Sequence, residues 1–301
     1  MLVKLFIGET KINFNKLGNN LFKLFILELV IFLLVILLAL TNTLNVNLSV
    51  DFTGGTTYQF NADYNNKDIS EVLNSKILEV SRYQTFEETK TLIFRASEDT
   101  AEKEAEFLNY LSSKFNIQDN EIEFQRVGPT FGKEITSKGL RALFIFLSLI
   151  VLLISFRYEF KFSIVALIAL LHDLLLCFSV YLILNLEITP STIIALLTIL
   201  GYSLYDTVIL FDKLNESKKA NKLNNLNIET LNKTFNEVLM RSINTSITSV
   251  IPIASILFLG NYLGLAGSLT DFALPLFIGI ISGTYSSIFV TVPFLVKIIK
   301  S

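Results

Sequence analysis

Six apolar stretches, each approaching or exceeding the roughly 18 residues that cross about 30 Å of hydrocarbon as a helix, dominate this sequence and leave it few folds. They lie near 22–41, 139–156, 163–184, 190–211, 241–260 and 272–296. Backbone amides and carbonyls find no water in a bilayer, so each stretch must satisfy them internally, as a helix. Composition agrees: 51% of the 301 residues are hydrophobic and 17% charged, too apolar for an ordinary soluble domain. The charge is also uneven, with 16 Asp/Glu against 9 Lys/Arg between Thr41 and Ser137. The pattern reads as a polytopic α-helical membrane protein with one soluble domain inserted between its first two spans.

Lys16 and Lys23 precede the first stretch, as they would in a signal peptide, but the apolar run is long and lacks a small-x-small cleavage site. It reads as an uncleaved anchor. Lys4, Lys11, Lys16 and Lys23, then Arg157 and Lys161, then Lys213, Lys218, Lys219, Lys222, Lys233 and Arg241, and finally Lys297 and Lys300 all fall on one side of the membrane. The hairpins at 185–189 and 261–271 carry no Lys or Arg. By the positive-inside rule both termini are cytoplasmic and residues 42–137 lie outside the inner membrane of a bacterium, in the periplasm. The expected layout is therefore a cytoplasmic segment 1–21, a first span 22–41, a periplasmic domain 42–137 and a membrane domain 138–301 with a cytoplasmic loop at 212–240. Within 42–137 the pattern reads strand 56–61, helix 68–80, strand 83–86, strand 91–96, helix 100–115 and strand 121–127. That βαββαβ order is the split, ferredoxin-like arrangement.

Several chemistries are excluded by what the chain lacks. Cys177 is its only cysteine and His172 its only histidine, which leaves no disulfide framework, no multi-histidine metal site and no basis for a Ser/His/Asp hydrolase. No phosphate-binding or dinucleotide fingerprint occurs. The expectation is a protein that is not an enzyme, hydrolyses no nucleotide and holds no metal.

What remains is a set of polar residues inside the spans. Asp206 sits in "GYSLYDTVILFDKLNE", residues 201–216, one to two turns from the cytoplasmic edge. An ionised carboxylate there costs on the order of 2 kcal/mol or more without a partner. Tyr202 and Ser203 lie one turn earlier on the same face and can donate hydrogen bonds to it. Arg241 opens the fifth span at similar depth and is the natural counter-ion, although an arginine there also fits one that snorkels to lipid headgroups. Asn244, Thr245 and Thr248 continue from it as a polar stripe. His172 and Asp173 fall near the bilayer midplane, where structural and proton-transfer roles are equally open; Glu28 lies near the inner end of the first span. Gly279 and Gly283 have the small-xxx-small spacing of close helix packing. Gly-rich stretches at both ends of the soluble domain, Asp51, Gly54 and Gly55 in "VDFTGGT" and Gly128, Pro129 and Gly132 in "VGPTFGKEI", read as hinges.

Taken in order, "VDFTGGT", "VGPTFGKE", "ALLHD", "GYSLYDTVILFDK", "RSINTS" and "DFALPLFIGIISGTYSSIF" resemble the SecF family of protein-export membrane subunits over nearly the whole chain. SecF and its partner SecD share the architecture of half a resistance-nodulation-division exporter. The resemblance implies six spans, one periplasmic domain, protons as the coupling ion, and SecD, the SecYEG channel and unfolded preprotein as partners. It assigns the proton relay to Asp206 and Arg241. The commonest family pattern has Asn before the acid; here Tyr205 stands there, which bears on the hydrogen bond that the amide would make. A small-molecule exporter on the same scaffold and a non-transporting scaffold of the translocase are the alternative readings.

Overall fold

A computed structural model describes residues 12–300 apart from 42, 88, 98, 221–227 and 263–267. Lys4, Lys11, Lys222 and the middle of the 261–271 hairpin lie outside the described residues. Six helices among those described are long and apolar enough to cross a membrane. They are α1 (Phe14–Leu40), α5 (Pro129–Arg157), α6 (Phe160–Ile183), α7 (Pro190–Ala220), α8 (Ile228–Tyr262) and, as one continuous span, α9 (Ser268–Tyr285), a π-helical turn (Ser286–Val290) and α10 (Thr291–Lys300). Leu27, Val30, Leu33 and Leu34 of α1 and Phe144, Leu149, Leu152 and Phe156 of α5 are exposed, as lipid-facing side chains are.

Several helices overrun the apolar stretches. The expected loop 212–240 is largely helix, since α7 continues to Ala220 and α8 begins at Ile228. The reason is packing: Leu214 of α7 and Leu231, Phe235, Val238 and Leu239 of α8 join the bundle core beside Phe14, Leu210 and Phe211. Their spacing is helical although the intervening residues are polar. Just before α1, the Ile12 N–H donates to the Asn236 side chain at 2.9 Å, and that side chain donates back to the Ile12 carbonyl. At the same end Asp212 accepts from Arg157 at 2.9 Å and from the Tyr158 hydroxyl at 2.5 Å, and burial raises the Tyr158 phenol to about 12.

Between α1 and α5 lie a short helix α2 (Val50–Thr53), β1 (Gly55–Asn61), α3 (Asn66–Asn74), β2 (Val80–Phe86), β3 (Thr91–Ala96), α4 (Ala101–Phe115) and β4 (Glu123–Val127). The strands form one antiparallel sheet in the order β2-β3-β1-β4. The sequence placed β3 and the order of elements correctly, but it ran α3 too far. That helix starts at a capping box between Asn65 and Asp68 and stops at Asn74, because Lys76 takes a left-handed conformation (φ 54°) and Val80 is needed opposite Ala96 in the sheet. Tyr58, Phe60, Leu92 and Phe94 point from the sheet onto Ile69 and Val72 of α3 and Phe107 and Leu111 of α4, which closes a core of its own.

Among the described residues neither α3 nor α4 packs on the other face of the sheet, which lies against the membrane domain. Thr57, Gln59, Ile93, Arg95 and Gln125 share a cavity of about 300 Å³ with Thr189, Pro190, Ser191 and Asp271. Neighbouring contacts hold the units together. Ser49 N–H donates to the Ile188 carbonyl at 2.9 Å and Ile188 N–H to the Asn47 carbonyl at 2.8 Å, so the α6–α7 hairpin pairs with the strand-like segment before α2. Beside it the buried Glu187 carboxylate accepts from Arg95 of β3 and lies 3.8 Å from Arg82 of β2. Burial pushes the Glu187 carboxyl above its usual range, while Arg95 and then Arg82 pull it back.

Removing one partner of a buried ion pair leaves an uncompensated charge, so Arg95→Ala is expected to cost about 3–5 kcal/mol of docking at neutral pH. Hydrogen exchange across 185–189 and β3 measures it. A carboxyl raised in the folded state contributes stability that is complete below its unfolded pKa, roughly 4.3, and is lost as pH rises through the folded value. The deficit of Arg95→Ala therefore shrinks on acidification.

Candidate functional site

Asp206 lies about 24 Å along α7 from Pro190, the end of that helix beside the sheet domain. It is 3% exposed, and its carboxylate accepts a hydrogen bond from the Ser242 hydroxyl on α8. Arg241, the preceding residue on that helix, points about 100° away. Its guanidinium donates to the Tyr205 hydroxyl at 3.3 Å, and among the described residues it forms no ion pair with Asp206. The two residues assigned as a relay are thus neighbours held apart, each bonded to the other's sequence neighbour. Thr245 and Thr248 donate to carbonyls of their own helix, at Arg241 and Asn244, rather than to the acid; Thr245 is half-buried and Thr248 exposed.

Tyr202 and Ser203 do not serve Asp206. Tyr202 donates to Ser246 at 3.4 Å, and Ser203 donates to Asp173 at 2.5 Å. The correction has a physical cause: Asp173, fully buried on α6, has no access to water and draws donors from the neighbouring helices. Ser282 of α9 donates to it at 2.5 Å and Ser286 of the π turn at 2.8 Å. His172, also buried, stands with Nδ1 3.5 Å from Asp173 and Nε2 3.2 Å from Glu28 of α1. Glu28 in turn accepts from the Tyr285 hydroxyl at 2.6 Å. A chain of polar groups therefore crosses the bundle from α1 through α6 to α7 and α9.

Small residues make this convergence possible. A Cβ added at Gly279 would lie 2.2 Å from the Ile199 side chain, and one at Gly283 would lie 3.0 Å from Ser203 Cβ. The backbones of α9 and α7 are in contact, which carries Ser282 and Ser286 within reach of Asp173. The π turn begins at Ser286; such turns are frequent at functional sites. Ser282 and Ser286 lie in the stretch whose Gly279 and Gly283 spacing points only to helix packing. The spacing of Ser282 and Ser286, one helical turn apart and opposite a buried acid, was the available signal.

The two glycine motifs meet as well. Gly54 and Gly55 take φ of 82° and 145°, a region that favours glycine, where the chain leaves α2 for β1. Asp51 accepts from Ser49 at 3.2 Å. Gly128 precedes α5 and Pro129 starts it, where its missing N–H costs nothing. Gly132 packs directly on α2, since a Cβ there would come within 2.2 Å of the Phe52 carbonyl oxygen. The expected pair of hinges is one clamp that ties the entry and exit of the sheet domain together.

Comparison with known proteins bears on this arrangement. Residues 108–301 match the family model of the protein-export membrane protein SecD/SecF, C-terminal. The protein translocase subunit SecF of Thermodesulfovibrio yellowstonii is 33% identical over 296 residues, 95% of this chain and 94% of that one. SecF of Streptomyces coelicolor is 39% identical over 61% of this chain, and the match spans half of that relative's length. The crystal structure of SecDF, a translocon-associated membrane protein from Thermus thermophilus, superposes with a TM-score of 0.82 at 29% identity, covering 98% of this chain and 39% of that one.

Ser242→Ala should lower stability by about 1–3 kcal/mol, the cost of leaving a buried acceptor without its donor, and Ser242→Thr should restore most of it; thermal unfolding in detergent measures both. Gly132→Ala is expected to cost about 1–3 kcal/mol by overpacking against backbone. Gly201→Ala, in α7 with nothing within 4 Å of the added Cβ, should instead stabilise by up to about 1 kcal/mol.

Proposed function

The chain belongs to the SecF family of protein-export membrane subunits, and from that premise we propose that it works with a SecD partner at the SecYEG channel, using the proton motive force to complete export of unfolded preproteins. Asp206 carries the coupling proton. The observation that supports this is a carboxylate buried at membrane depth with a hydroxyl donor, Ser242, and with the nearest guanidinium held by Tyr205. A neutral acid is content with that partner; an ionised one gains from Arg241. Protonation thus changes which helix arrangement is stable, as a two-state coupling element requires.

In this reading the membrane is the bacterial inner membrane, with both termini cytoplasmic and the four-stranded unit a periplasmic domain of ferredoxin-like topology. The strand order β2-β3-β1-β4, with α3 and α4 packed on one face, and the lysines and arginines at the opposite helix ends support it. Movement of α7 relative to α8 reaches the domain through the α6–α7 hairpin, where Glu187 meets Arg95. No nucleotide is hydrolysed and no cofactor is required; the gradient supplies the energy.

The test is Asp206→Asn in cells or in vesicles reconstituted with the partner subunits. Proton-gradient-dependent late export is expected to fall to background while ATP-driven initiation persists. Gradient dependence equal to that of the unaltered chain would defeat the proposal.

A further inference from the structure

We infer that Glu28, His172 and Asp173 form a second proton-holding site, in which one proton beyond that of a neutral imidazole is shared between Glu28 and His172 while Asp173 stays ionised. The inference follows from donors and acceptors, and it stands whether or not Asp206 carries the coupling proton. A neutral imidazole has one N–H and one bare nitrogen. Here both nitrogens face carboxyl oxygens, Nε2 at 3.2 Å from Glu28 and Nδ1 at 3.5 Å from Asp173. With both acids ionised and the ring neutral, one of those contacts sets a lone pair against a lone pair.

Charge gives the same count. Two ionised carboxylates joined through a neutral ring place two negative charges inside the bundle, and among the described residues neither acid is ion-paired with a lysine or arginine. Unpaired charge at that depth is costly, and a bound proton halves it. The proton belongs on the Glu28 side. Asp173 already accepts from Ser203, Ser282 and Ser286, an environment that suits the ionised form. Among the described residues Glu28 accepts only from Tyr285 besides the ring.

The other titratable groups facing the site are few. Tyr285 comes from α9, Cys177 sits one turn further along α6, α7 contributes only the Ser203 hydroxyl, and Asp206 of that helix is bonded to Ser242. Phe25, Phe32 and Tyr285 pack around the imidazole with ring centroids at 6.2, 5.4 and 5.8 Å. An apolar cavity of about 180 Å³ opens beside it between α1 and α6. The site joins α1, which leads into the sheet domain, to the π turn, so gain or loss of its proton bears on how the first span packs against the sixth.

His172 is the chain's only histidine, so isotope-labelled histidine in this chain in lipid bilayers reports this ring alone. Magnetic resonance of the ring nitrogens, with infrared spectra of the carboxyl bands, should be followed across roughly pH 5 to 9. The expected result is a bound proton, seen as an imidazolium or as a carboxylic acid beside a neutral ring. It should be released in one step that Glu28→Gln abolishes, Tyr285→Phe shifts and Asp206→Asn leaves in place. A ring that is neutral with no carboxylic acid band from Glu28 throughout the range overturns the inference. So does a transition unmoved by both Glu28→Gln and Tyr285→Phe; the second variant removes only a hydroxyl and guards against a failure to fold.

Discussion

Burying a carboxylate in a bundle surrounded by hydrocarbon costs several kcal/mol unless donors converge on it, and the packing of the membrane helices follows from meeting that demand. Asp173 draws donors from α7, α9 and the π turn; Asp206 draws one from α8; Glu28 draws the Tyr285 hydroxyl toward α1. Helices in lipid have little hydrophobic reason to prefer one another. These contacts, made close by Gly279 and Gly283 against α7, supply the specificity. The same groups that fix the packing are the ones whose protonation can change it.

Between this membrane interior and the sheet domain there are few physical links, and they lie side by side. The α6–α7 hairpin pairs with the segment before α2, Glu187 enters the bare face of the sheet to meet Arg95, and Gly132 lets α5 pack on α2. A shift of α6 or α7 acts directly on the first two. In the proposed mechanism this is the path by which a proton at Asp206, some 24 Å away along the helix, alters the posture of the outer domain.

Much of this was legible in the sequence. Length and apolarity gave the six spans, and the pattern between the first two gave β3 to the residue. Ionisable residues in apolar runs marked Asp206, His172 and Asp173. What was not legible depends on direction rather than type. Ser203 is one turn from Asp206, but its hydroxyl faces α6. Arg241 and Ser242 are both plausible partners for the acid by spacing, and only their 100° separation around α8 decides that the serine reaches it. The helical character of 212–220 and 228–240 was hidden because those segments are polar on average, while Leu214, Leu231 and Phe235 recur at helical spacing. Tyr205, marked as the departure from its family, proves to hold Arg241.

The central claim is that Asp206 carries the coupling proton. Proton flux through the purified complex in proteoliposomes under an imposed gradient, compared between the unaltered chain and Asp206→Asn, tests it most directly. The account predicts a gradient-driven flux that the substitution removes; equal flux through both would contradict it.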